Sequence, residues 1–299
     1  MSYKPDIPQA PIWFKLLVYP VLFLISLLPF RVLYWISDLL YFLLYYVIKY
    51  RTAVVRQNLE RAFPNKSKPE VTTLEIKYYK HLADVFVETI KGLSISRSEI
   101  LNRMKYPTEK NIFETLNNEN QNAFVVLSHS GNWEWVALAS QPYCPQQVYF
   151  TYKPLSNQGF NWLMHKMRTR FSGLALSMQE TPRAITSLNG AKKKFVLALI
   201  GDQSPSNLNG CYWMNFLNQE TAFLNGPAKL AHKFNIPIIY LRQKKMRRGY
   251  YEAYFERYNT EGQSSDEIMN YICDTMENEI QSQPFTWLWS HRRWKHLKP

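Results

Sequence analysis

Two apolar runs open the chain. Leu16–Phe30 reads LLVYPVLFLISLLPF and, after Arg31, Val32–Ile48 reads VLYWISDLLYFLLYYVI. A bilayer span needs about 20 apolar residues, and the first run is short and interrupted by Pro20 and Pro29. The second carries Asp38, and a carboxylate at mid-bilayer costs about 2.5–3.5 kcal/mol. The pattern therefore predicts either one span or a pair of helices lying partly in one leaflet. Lys49, Arg51, Arg56 and Arg61 follow directly, which by the positive-inside rule puts the remainder on the cytoplasmic side. Tyr34, Trp35, Tyr41, Tyr45 and Tyr46 suit the membrane–water interface. No small-residue cleavage site follows, so the segment reads as a retained anchor. Residues 1–50 are assigned to this anchor and 51–299 to one folded domain.

Beyond the anchor the periodicity is first helical. Residues 51–100 read as helices broken at Asn65–Pro69, with Leu82, Val85, Phe86 and Ile90 at helical spacing. From about 121 short apolar runs take over: Ala123–Ser128, Val148–Lys153, Lys194–Ile200 and Ile236–Arg242, with Tyr250–Tyr258 as a further strand near an edge. Helical stretches, Asn161–Phe171 and Gly226–Phe234, lie between them. This alternation predicts an α/β fold, a mixed sheet flanked by helices.

Composition narrows the function. With 46% hydrophobic and 15% aromatic residues the chain is folded and not disordered. A net charge of +13 attracts polyanions: an anionic membrane, an acidic carrier protein or nucleic acid. No nucleic-acid-binding module accompanies the charge, so nucleic acid is set aside. Cys144, Cys211 and Cys273 are far apart and lack C-x-x-C spacing, so neither a disulfide framework nor a zinc site is expected.

The candidate chemistry lies in Ser128-His129-Ser130-Gly131-Asn132-Trp133-Glu134. His129 ends an apolar strand and a helix can begin at Gly131 or Asn132, and open α/β sheets bind ligands beyond the carboxyl ends of their strands. A neutral imidazole there can take the proton of an attacking hydroxyl, and Glu134 can fix its tautomer and stabilise the imidazolium. No G-x-S-x-G elbow occurs, which favours direct attack by an acceptor hydroxyl over an acyl-enzyme. No second His stands at metal-ligand spacing from His129, so no metal is expected.

With these residues in place the chain resembles the bacterial lipid A late acyltransferases, a family that includes the phosphatidylinositol mannoside acyltransferases. The resemblance runs through Asn58-Leu59 with Ala62-Phe63-Pro64, His129 to Glu134, Arg168-Thr169-Arg170 with Gly173, Asp202-Gln203, Phe216-Leu217 with Gly226-Pro227, and the ending Trp287-Leu288-Trp289-Ser290-His291-Arg292-Arg293-Trp294-Lys295. One departure is Phe216-Leu217-Asn218 where the family has F-F-G. The resemblance implies an acyl thioester donor (acyl carrier protein, or acyl-CoA), no resident cofactor, and a lipid A precursor as acceptor. It also implies a cell inner membrane location facing the cytoplasm. His129 and Glu134 are then the catalytic pair. Arg168, Arg170 and Lys153 are candidates for phosphate or sugar-acid contacts, since guanidinium forks grip such groups. Asp202, Gln203 and Asn132 complete the substrate-binding set, and backbone N–H groups near Gly131 are candidates for the oxyanion site. Two alternatives stand beside this reading: another lipid acceptor (glycerolipid, aminolipid or phosphatidylinositol mannoside), or a membrane scaffold without catalysis.

Overall fold

A computed structural model describes residues 5–107, 112–296 and 298. The two apolar runs form α1 (Tyr19–Leu27), preceded by a π-helical turn at Phe14–Val18, and α2 (Phe30–Phe42), which continues as a π-helical turn through Val47. They are separated at Leu28-Pro29, where the backbone turns extended (ψ 146° and 148°). The helical region that follows is α3 (Thr52–Ala62), α4 (Lys68–Lys91) and α5 (Arg97–Arg103). The polar break expected near 65–69 is the start of α4. Ser67 caps it reciprocally with Glu70, satisfying two free amides of the first turn, and Pro69 sits in that turn where its missing N–H costs nothing.

The sheet strands are β1 (Met104–Lys105), β2 (Ala123–Leu127), β3 (Gln147–Tyr152), β4 (Leu174–Ser177), β5 (Phe195–Ile200), β8 (Ile238–Arg247) and β9 (Tyr250–Tyr258), in the order β1-β9-β8-β2-β5-β3-β4. A separate antiparallel hairpin joins β6 (Tyr212–Phe216) to β7 (Gln219–Phe223). All neighbours in the large sheet are parallel except β8 and β9, so the sheet is mixed, as expected. The intervening helices are α6 (Ile112–Asn118), α7 (Trp133–Ser140), α8 (Gln158–Arg168), α9 (Thr181–Gly190), α10 (Gly226–Phe234) and α11 (Ser265–Ser282).

Strand alternation divides the core into two layers. Phe124, Val126, Leu197 and Tyr240 face a core that includes buried residues of α3, α4, α9, α10 and α11. Val125, Leu127, Val196 and Leu241 face the other, which includes residues of α5, α6, α7 and α8 together with Phe14. The parallel register of β2 with β5 pairs Leu127 with Ile200. Two residues further on, beyond the carboxyl ends of both strands, stand His129 and Asp202.

Two elements depart from the sequence pattern. The stretch around Phe216-Leu217-Asn218 is the β6–β7 hairpin, with Leu217 and Asn218 both at positive φ (52° and 61°), the backbone a two-residue hairpin turn of the primed type requires. Asn tolerates that conformation, whereas Leu does so at a cost; Leu217 is fully buried and its amide is held by Glu277 Oε2 at 3.1 Å. The second is α8, which begins at Gln158, capped by Asn157, and not at Asn161.

Candidate active site

His129 lies in the turn between β2 and α7. Its Nδ1 is 2.6 Å from Asp202 Oδ1, and its backbone N–H donates to Asp202 Oδ2 at 2.8 Å. The indole of Trp287 donates to the same Oδ2 at 2.7 Å. Burial alone would raise the Asp202 carboxyl, but the His129 ring, its amide and the Trp287 indole outweigh it and hold the group at about 2. An ionised carboxylate can only accept, so the imidazole proton sits on Nδ1 and Nε2 is left as a base. The amide of Gln203 lies 3.2 Å from that Nε2 and donates to it, in the place an acceptor hydroxyl would take. The ring edge packs against Trp133, with centroids 5.3 Å apart.

Glu134 therefore does not orient the imidazole. It lies on the first turn of α7 and forms a bidentate pair with Arg168 at the end of α8 (2.7 and 2.6 Å). The physical reason is placement: the parallel partner strand brings Asp202 level with His129, while Glu134 is carried toward the packed helix α8. Arg168 stays in the site through this pair. Arg170 does not: its guanidinium donates to the Gly92 carbonyl and lines a separate groove with Tyr19, Phe23 and Lys166. Asn132 is also not a substrate contact. It is fully buried, caps α7 by accepting from Trp135 N at 3.0 Å, and donates to Glu88 Oε2 at 2.7 Å.

The catalytic turn is held from beneath by groups that sequence reasoning did not single out. Ser128 Oγ donates to Glu279, Gln243 donates to the Ser130 carbonyl and accepts from Asn132 N, and His81 Nε2 meets the Gly131 carbonyl at 3.1 Å. Gly131 has φ +60°, and a Cβ there would come within 2.8 Å of Gln243 Oε1, so only glycine lets the turn approach this support. Its N–H donates to the Thr286 carbonyl at 3.2 Å. The amides of Gly131 and Asn132 are thus already engaged, which argues against the oxyanion site expected there.

Glu279 is fully buried. Burial raises its pKa to about 7, despite donors from Gln243, Tyr240 and Ser128. Its folded pKa is raised, so its contribution is present below the ordinary carboxyl value of 4.5 and is lost as pH rises through about 7. Glu279→Gln removes this titration. The stability of the variant relative to wild type should improve as pH rises through that window, read from thermal unfolding at several pH values. A pH-independent difference would mean that Glu279 does not titrate there.

An apolar cavity descends from His129 along one face of the sheet. Ile200, Ala198 and Val196 of β5 line it, with Leu127 and Val125 of β2, under Trp133, Val136 and Ala137 of α7. Val196 to Ile200 spans about 13 Å at the usual strand rise. Phe113, Val148 and Phe255 also line it; Lys153, Arg168 and Gln203 contribute its polar groups, and Leu155 and Met178, both exposed, its apolar rim.

A profile for "bacterial lipid A biosynthesis acyltransferase" matches residues 2–296. Over 287 residues the chain is 25% identical to a lipid A biosynthesis palmitoleoyltransferase of Escherichia coli (strain K12), covering 95% of this chain and 90% of that protein. The same figures hold for a lipid A biosynthesis acyltransferase of Shigella flexneri. A half-buried His129 held by buried Asp202 at the head of an apolar cavity, on a chain matched almost end to end, places this protein in the bacterial lipid A biosynthesis acyltransferase family, and it is an acyltransferase.

Proposed function

We propose that the protein moves a fatty acyl chain from an acyl thioester, carried by acyl carrier protein or CoA, to a hydroxyl of a lipid A precursor at the cytoplasmic face of the inner membrane. The observation that carries this reading is the Nε2 of His129 at the head of an apolar cavity whose β5 wall, Val196 to Ile200, runs about 13 Å. The acyl chain fills the cavity and leaves the thioester carbonyl beside His129. The acceptor hydroxyl displaces Gln203, gives its proton to Nε2 and attacks the carbonyl carbon. The C–O bond forms, the C–S bond breaks, and the imidazolium returns the proton to the departing thiolate. Asp202 stabilises the imidazolium between these steps. Glu134 holds Arg168 at the cavity, where its guanidinium offers charge to the developing oxyanion.

The membrane reading rests on α1 and α2. Phe30–Val47 is 18 residues long with mean hydropathy 1.3 and is only 11% buried, so it is no core helix. Yet one face of α2 is bonded to α4 and the β8–β9 turn: Ser37 donates to Asp84, and Arg248 bridges Asp38 and Asp84. A spanning α2 would draw these charges into hydrocarbon at several kcal/mol. The two helices therefore lie along one leaflet, with Leu16, Leu17, Val21, Leu24, Trp35 and Leu39 outward. The surface charge of +13 suits an acidic carrier and a phosphorylated glycolipid.

The test is a mass spectrum of total lipid A from cells with and without the gene, complemented by wild type or by Ala198→Phe. Loss of one acyl chain on deletion and its restoration by wild type supports the reading. Ala198→Phe, which narrows the cavity midway, should install a shorter chain. If lipid A is unchanged while another lipid loses an acyl group, the acceptor is that lipid. If no lipid changes, the assignment of a lipid acceptor is overturned.

A further inference from the structure

The groove that takes Arg170 away from the active site has its own composition. Lys15, on the turn before α1, lies 5.6 Å from the Trp162 ring centroid. Lys166 lies 5.6 Å from the same ring and 5.7 Å from that of Tyr19. The Tyr19 and Trp162 rings meet edge to face at 5.2 Å. The groove wall itself is Tyr19, Phe23, Leu93, Lys166, Thr169 and Arg170, and Lys15 and Trp162 stand beside it. Among the described residues none of the three cations has a carboxylate within ion-pair distance. Burial, the largest influence on Arg170, lowers its pKa; a half-buried guanidinium with one carbonyl partner is left with unused donors, and an anion would satisfy them.

The position of the groove identifies the anion. Tyr19 and Phe23 face it, while Leu16, Leu17, Val21 and Leu24 on the same helical segment are between 55% and 67% exposed. An apolar face flanked by Tyr, Trp and Lys is the composition of a membrane interface, and the three cations border that face. We infer that the groove between α1 and α8 binds the phosphate of an anionic phospholipid of the bilayer, using Lys15, Lys166 and Arg170 around Tyr19 and Trp162. The site is separate from the acyl cavity. It rests on the leaflet placement of α1 and α2 above, and it would fix how the protein is rotated about its membrane face.

The experiment uses the full-length protein in neutral detergent micelles doped with phosphatidylglycerol or phosphatidylcholine, with retained lipid measured against lipid content. Phosphatidylglycerol should bind saturably and phosphatidylcholine should not. Lys166→Gln and Arg170→Gln should each weaken retention about fivefold, the worth of one cation near an anionic surface. Arg170 also holds the Gly92 carbonyl, so Lys15→Gln, which removes no such bond, is the variant free of folding effects. Lys229→Gln/Lys233→Gln on α10, which packs on the opposite face of the sheet, should leave retention unchanged. Equal retention of both lipids, or equal loss from the α10 variant, overturns the site and leaves the membrane reading standing. A protein that also fails to partition into phosphatidylcholine vesicles overturns both.

Discussion

Asp202→Asn is expected to lower kcat by a factor on the order of 10⁴, the loss seen when a triad carboxylate becomes an amide. The shape of the site survives, because Asn can still accept from the His129 amide and the Trp287 indole that meet Oδ2. Its NH₂ then faces His129 Nδ1 and makes that nitrogen an acceptor. The ring proton moves to Nε2, which can no longer take one from the acceptor hydroxyl. Glu134→Gln leaves the tautomer alone and weakens the pair with Arg168, along with the bond Glu134 accepts from the Trp133 indole. Comparison of the two variants by steady-state acyl transfer therefore separates the roles. Wild-type turnover in Asp202→Asn would remove Asp202 from the catalytic unit.

His129→Ala should cost roughly 10²–10⁴ in kcat, the usual share of a general base, with little change in KM for the donor. The acyl chain is bound chiefly by the apolar walls below, and His129 lines only the head of the cavity. Because His129 and Asp202 act as one unit, the double variant should be no worse than the more damaged single one. Multiplied losses would show that the two residues act independently. The measurement is single-turnover transfer with saturating donor, which reads chemistry apart from binding.

The legible parts of the sequence were those with local signatures. β2, most of β5, the centre of β3 and the first half of β8 are buried on both faces and so read as continuous apolar runs. The β6–β7 hairpin was not legible, since Leu217-Asn218 carries no glycine to mark the turn. His129 was identified by its position after a strand, but its partner was assigned to Glu134 on the strength of proximity along the chain. Asp202 is 73 residues away from His129, and only the parallel register of β2 with β5 brings it level. Arg168 and Arg170 looked equivalent in one basic stretch. Arg168 is the last residue of α8 and Arg170 lies in the turn beyond its Thr169 cap, where the chain has left the helix, so one reaches the cavity and the other the α1 groove. The supports beneath the turn (Glu88, Glu279, Gln243 and His81) come from distant elements and carry no motif.

The rim of the acyl cavity governs how the reaction ends. The chain must enter tail first, and after transfer it leaves by the same mouth, now attached to the acceptor. Withdrawal into water would expose each methylene at about 0.8 kcal/mol, so a chain of ordinary length would be trapped for far longer than a useful catalytic cycle. Exposed Leu155 and Met178 at the mouth, with exposed Phe160 packed on Phe14 at the start of the anchor, offer a route from cavity to bilayer without that exposure. On the proposed reading, the membrane is then the solvent into which the product is released.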